Sequence, residues 1–125
     1  MIVIGGRHLP RLPNRVFWIW DGEFCGTINL RYVAGTEALP AYVSGHIGYA
    51  VVPWKQRRGY ATAALGMMLS VAREVGLKRV LVTCDATNDA SRKVILANGG
   101  VFAGIQQPKE LGQPAKLLFW ITTHS

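Results

Sequence analysis

Gln56-Arg57-Arg58-Gly59-Tyr60-Ala61-Thr62 sets two guanidinium groups directly before a glycine. A guanidinium is a planar fork of donors matched to phosphate or carboxylate oxygens, and a glycine leaves the backbone bare enough for an anion to reach main-chain N–H groups. Between Glu37 and Arg73 the only charged side chains are Lys55, Arg57 and Arg58. Cationic charge is thus concentrated in one short loop, which suits a compact polyanion better than a long groove. The GxxxxGK-Ser/Thr pattern of nucleoside triphosphatases is absent, so the expected ligand is a pyrophosphate held without their magnesium apparatus.

Such a loop needs a helix behind it, because the first four N–H groups of a helix lack internal partners and the helix dipole adds positive charge there. Ala61, Leu65, Met68, Ala72 and Val75 recur at helical spacing from Gly59 onward; Gly76 stops the run and Arg73 lies in its last turn. Before the loop, residues 44–52 form a strand ended by Pro53, which cannot donate to a ladder. Residues 15–20 and 24–33 are rich in aromatic and β-branched side chains around Asp21-Gly22, a hairpin pattern, and residues 34–42 form a loop. Residues 79–84, almost wholly apolar, suit a strand buried on both faces and parallel to the one ending at Val52. A second helix begins near Asp85 or Asn88 and ends at Asn98-Gly99-Gly100; strands at 101–105 and 116–122 close the chain. The order is three strands, helix, strand, helix, two strands. That is an α/β protein of the α+β type, with a mixed, mostly antiparallel sheet around a central parallel pair.

A chain of 125 residues, 50% hydrophobic, is the size of one domain over residues 1–125, with 1–14 irregular and a binding core at 44–105. No apolar run approaches the ~20 residues that span a bilayer, and no signal-peptide pattern opens the chain, so a soluble cytoplasmic protein without membrane partners is expected. Cys25 and Cys84 lack metal-ligand spacing and are expected as packed, reduced thiols, with no metal bound. The net charge of +7 raises nucleic acid as a partner, but basic and aromatic residues are not interleaved as stacking platforms require.

Gln56-Arg57-Arg58-Gly59-Tyr60-Ala61 resembles in full the signature of the GNAT superfamily of acetyl-CoA-dependent N-acetyltransferases. That signature runs Gln or Arg, two variable residues, Gly, one variable residue, then Gly or Ala, between the fourth strand and the following helix. Residues 88–102 resemble the Asn-x-x-Ala/Ser helix ending in Asn-Gly-Gly of the same family. The likeness covers residues 44–105 well and the flanking hairpins loosely. It implies acetyl-CoA as cofactor, with its pantetheine arm along the splayed end of the strand at Val51 and Val52. The pyrophosphate would rest on the N–H groups of Arg57, Arg58, Gly59, Tyr60, Ala61 and Thr62, with Gln56 at the edge, Asn88 beside the pantetheine and Ser91 a turn further on. It also implies direct transfer of acetyl to a primary amine of a small molecule or peptide, the runner-up being a non-catalytic CoA-binding module.

His46 stands where many relatives keep a base on the fourth strand, and an imidazole titrates near neutrality. The family's usual acid, a tyrosine on the helix after the fifth strand, corresponds to Ile95 here. Tyr49, Tyr60, Ser91 or a water must then reprotonate the thiolate, unless the step is unassisted or turnover is slow. Relatives also place a strand and two helices before the first hairpin as one wall of the acceptor groove. The expectation here is an open groove, one completed by a second subunit through Phe17, Trp18 and Trp20, or one lost.

Overall fold

The computed structural model describes residues 3–9, 14–32, 45–108 and 110–123. Among them are seven strands, β1 (Val3–Leu9), β2 (Asn14–Trp20), β3 (Phe24–Arg31), β4 (Ile47–Val51), β5 (Arg79–Asp85), β6 (Val101–Gln106) and β7 (Lys116–Thr122), and two α-helices, α1 (Tyr60–Glu74) and α2 (Asp89–Ala97). The strands form one sheet in the order β1-β2-β3-β4-β5-β7-β6. Only β4 and β5 are parallel neighbours, joined through α1. The mixed sheet with one central parallel pair agrees with the sequence reading.

Alternation along each strand shows which face is covered. Ile28 and Leu30 of β3, Ile47 of β4, Val80 and Val82 of β5 and Phe119 and Ile121 of β7 join one core with Leu65 and Met68 of α1 and Ile95 of α2. Both helices therefore pack on one face of the sheet. Thr27, Asn29 and Arg31, and likewise Leu81 and Thr83, alternate to the other face and are only half-buried. This corrects the expectation that β5 is buried on both sides: its apolar run carries a helix on one side alone. Cys25 and Cys84 are both buried free thiols.

The N-terminal segment also departs from expectation. Residues 1–14 were expected to be irregular, yet Val3–Leu9 pairs antiparallel with β2 from Val3↔Trp20 to Leu9↔Asn14. Gly5-Gly6 hides the alternating pattern locally, and the neighbouring strand supplies the hydrogen bonds that decide the conformation. The expected loop at 34–42 lies outside the described residues. Asp21, Gly22 and Glu23 connect β2 to β3, with Gly22 at φ 106° and the Glu23 N–H donating to Asp21 Oδ1 at 3.1 Å. Trp18 and Trp20 are 60% and 46% exposed, whereas Phe17 packs against the core.

Candidate active site

β4 and β5 pair in the ladder at one position, Ile47↔Val82. His46 fastens that point from both directions. Its N–H donates to the Leu81 carbonyl at 2.8 Å, and its Nδ1 accepts the Leu81 N–H at 2.8 Å. Beyond Ile47 the strands part. On the other side, Arg31 N–H donates to the His46 carbonyl and Val52 N–H to the Cys25 carbonyl, at 2.7 and 2.8 Å. Hydrogen-bonded and non-bonded pairs alternate in an antiparallel ladder, so His46, Gly48, Ala50 and Val52 face β3 while Tyr49 and Val51 turn their main-chain groups into the gap. Gln56 Nε2 donates to the Val51 carbonyl at 2.9 Å and folds the following loop over the end of the gap.

That loop carries the anion chemistry. Pro53–Lys55 forms one 3-10 turn, after which Arg57 adopts φ 62° and Gly59 φ 77° with a residue of negative φ between them. Alternation of this kind turns successive N–H groups toward one side, a concavity that binds anions. Gly59 is the N-cap of α1 without a side-chain cap, and the first helical bond runs from Ala63 N–H to the Gly59 carbonyl at 3.0 Å. The N–H groups of Tyr60, Ala61 and Thr62 precede it and have no helical partner. A Cβ at Gly59 would meet nothing within 4 Å, so the space before the helix is open. Arg57 and Arg58 are exposed beside it.

Lys55, counted in the sequence with the free cations of this loop, is buried and neutralised. Its Nζ lies 3.1 and 3.0 Å from the two Asp21 carboxylate oxygens, and the side chains are 8% and 10% exposed. Tyr60 donates its hydroxyl to Asp21 Oδ2 at 2.7 Å. The β2–β3 turn therefore holds the loop and the first residue of α1 together. These contacts, Tyr60 first and Lys55 next, keep the Asp21 carboxyl well below the usual carboxylate range, and Asp21 in turn raises the Lys55 pKa.

Across the gap, Tyr49 of β4 meets α2. Its hydroxyl lies 2.6 Å from Ser91 Oγ. Burial, the largest influence, raises the Tyr49 pKa, against a smaller lowering by Ser91, so the phenol keeps its proton at neutral pH. Asn88 caps α2, its Oδ1 accepting the Ser91 N–H at 3.0 Å. Asn98 Nδ2 donates to the Thr62 carbonyl at 3.1 Å and ties the end of α2 to the first turn of α1. Ile95 is wholly buried in the core, so no hydroxyl reaches the gap from that position. Burial also raises the pKa of Cys84, which keeps a neutral thiol.

The expected residues thus divide. Tyr49 meets Ser91 on α2, whose N-cap is Asn88, while Gln56 bonds the Val51 carbonyl and the 56–62 loop leads into the start of α1. Val52 does not contribute backbone groups to it: the N–H is spent on Cys25 and the carbonyl accepts the Lys55 N–H at 2.9 Å. Tyr60 offers only its main chain, its hydroxyl being held by Asp21. His46 is not placed as a base, because it is 1% exposed and its Nδ1 lone pair already accepts the Leu81 N–H. Asp21 and Lys55 were missed as loop supports. Asp21-Gly22 reads as turn chemistry alone, and nothing local ties residue 21 to residues 55 and 60.

A strand pair parted beyond one ladder position, with a helix start lacking a side-chain cap at its open end, frames a candidate site for an anionic ligand. The family model for the acetyltransferase (GNAT) domain matches residues 9–101, and the chain belongs to that family. Its fold is similar to microcin C7 self-immunity acetyltransferase MccE in complex with acetyl-CoA and AMP, at TM-score 0.72 and 17% identity over 87% of this chain and 61% of that one. It is also similar to RimL, the ribosomal L7/L12 alpha-N-protein acetyltransferase in complex with coenzyme A, at TM-score 0.74 and 18% identity over 87% of this chain and 62% of that one. A mutant of spermidine N-acetyltransferase SpeG from Vibrio cholerae gives TM-score 0.70 and 15% identity, covering 88% of this chain and 66% of the other. The chain thus spans about three fifths of the length of the first two structures. Among curated protein sequences none matches significantly. Among the described residues no helix is long and apolar enough to cross a membrane.

Proposed function

We propose that this protein binds acetyl-CoA in the gap between β4 and β5 and transfers the acetyl group to a primary amine. The observation that carries the reading is the single-position β4–β5 pairing opening onto the uncapped N-terminus of α1. The N–H groups of Arg58 to Thr62 hold the diphosphate, aided by the Arg57 and Arg58 guanidinium groups. Tyr49 offers gap-facing main-chain groups that would pair with pantetheine amides, the Val51 carbonyl being taken by Gln56. When bound, acetyl-CoA supplies a thioester whose carbonyl carbon accepts the amine and whose sulfur departs. The Val51 N–H would polarise that carbonyl. Tyr49, protonated and paired with Ser91, would give its proton to the departing sulfur and be restored by the proton that the attacking amine sheds, in place of the phenol that Ile95 cannot provide.

The test is calorimetry with CoA, joined to a thiol-release assay over a panel of amines. CoA binding with turnover on at least one amine supports the reading, and failure to bind CoA overturns it. Buried Ile95 favours a second reading, a CoA-binding module without rapid turnover, marked by binding without thiol release on any amine. Exposed Trp18 and Trp20 support self-association through the first hairpin. Sedimentation showing monomer alone at high concentration would remove that element.

A further inference from the structure

We propose that the acceptor enters from the helix-free face over Gly48 and carries a carboxylate, bound by Arg31 with Asn29. This rests on the acetyl-transfer reading for the meaning of the gap, but the site is defined by its own geometry. Gly48 is the first residue of β4 beyond the single ladder position with β5. On the helix side the neighbouring Tyr49 is hydrogen-bonded to Ser91 of α2. On the opposite face, Asn29 pairs in register with Gly48, and a Cβ added at Gly48 would lie 3.0 Å from Asn29 Oδ1 and 3.4 Å from Arg31 Nη2. Both side chains are therefore drawn over the bare backbone where the gap begins.

Arg31 is unusual in its surroundings. Its Nε is buried with no hydrogen-bond partner, and among the described residues no carboxylate forms an ion pair with it. Lys55, Arg92 and Lys116, by contrast, each have a carboxylate within 4 Å. A half-buried guanidinium with no carboxylate beside it among the described residues is costly to keep, and a carboxylate bound at its Nη atoms offsets that cost. One fork and one amide match the two oxygens of a carboxylate. A polyamine, bringing further positive charge to Arg31 in a protein of net charge +7, is disfavoured at the same place.

Amine pairs differing only in the carboxylate test this. The probes are β-alanine against ethylamine, γ-aminobutyrate against propylamine, and spermidine as the cationic control. Thiol release from acetyl-CoA should show kcat/KM at least about tenfold higher for the carboxylate-bearing member, a difference that Arg31→Gln erases and Arg31→Lys partly retains. CoA affinity should stay within about twofold in both variants, which shows that they fold and separates acceptor recognition from the cofactor seat. Equal rates within each pair, or discrimination surviving Arg31→Gln, would overturn the proposal. A readout free of turnover is amide NMR of the wild-type chain: the carboxylate probes, and not their counterparts, should shift Asn29, Arg31 and Gly48. Absence of those shifts overturns the acceptor site whether or not CoA binds. Their presence in a protein that fails to bind CoA would sink the acetyl-transfer reading and keep the carboxylate site.

Discussion

Substituting Gly59 separates what the loop does for the fold from what it does for a ligand. Gly59 sits at φ 77° and ψ 8°, a left-handed conformation that costs an L-residue about 1–2 kcal/mol. Its Cβ would meet no protein atom within 4 Å, so the protein adds no steric penalty. Gly59→Ala should therefore lose about 1–2 kcal/mol of stability, and Gly59→Asn less, because asparagine tolerates this conformation. Both variants put the same Cβ in front of the N–H groups that open α1. Loss of one charge-assisted hydrogen bond to a diphosphate costs about 1.5–3 kcal/mol, or roughly 10- to 150-fold in Kd. Denaturant midpoints should thus differ between the two variants while calorimetric CoA affinities fall together. Gly59→Asn binding CoA as tightly as the wild type would refute the claim that a bare backbone at residue 59 is needed for the phosphates.

The remaining expectations concern the groups around the gap and loop. Tyr49→Phe removes the 2.6 Å contact with Ser91 and should lower kcat at least about tenfold with little change in CoA affinity; an unaltered kcat would exclude Tyr49 as the proton donor. The pKa of Asp21 is depressed in the fold, whereas an unfolded aspartate takes its proton near pH ~4, so the stability it contributes is complete above about pH 5 and is lost as pH falls below about 4. Asp21→Asn should flatten that acid limb in denaturation curves taken from pH 6 to 2, and an unchanged slope would contradict the assignment. His46→Ala should destabilise the chain by about 1–3 kcal/mol through the unpaired Leu81 N–H, while the pH profile of any turnover keeps its shape. A shift of the profile's acidic limb would restore His46 as a base.

Much of this protein is written locally in its sequence. The stripe from Ala61 to Val75, the stop at Gly76 and the Asn88 cap each depend on contacts within a few residues, and α1 and α2 follow them. The anion-binding character of the 56–62 loop is equally local, since charge, glycine and helix start adjoin along the chain. Tertiary structure alone decided how those groups are used. Whether Lys55 is a free cation depends on Asp21, 34 residues away, and whether Val52 has a spare N–H depends on its ladder partner Cys25. The role of His46 was set by the point where β4 and β5 separate, which turned a titratable side chain into a backbone clip. Tyr49 found Ser91, 42 positions along, only because α2 packs on the face of the sheet to which Tyr49 points. Helix starts and turns are fixed by short-range hydrogen bonds and backbone freedom, whereas proton positions and charge pairing depend on which strands become neighbours. That choice belongs to the packed sheet as a whole.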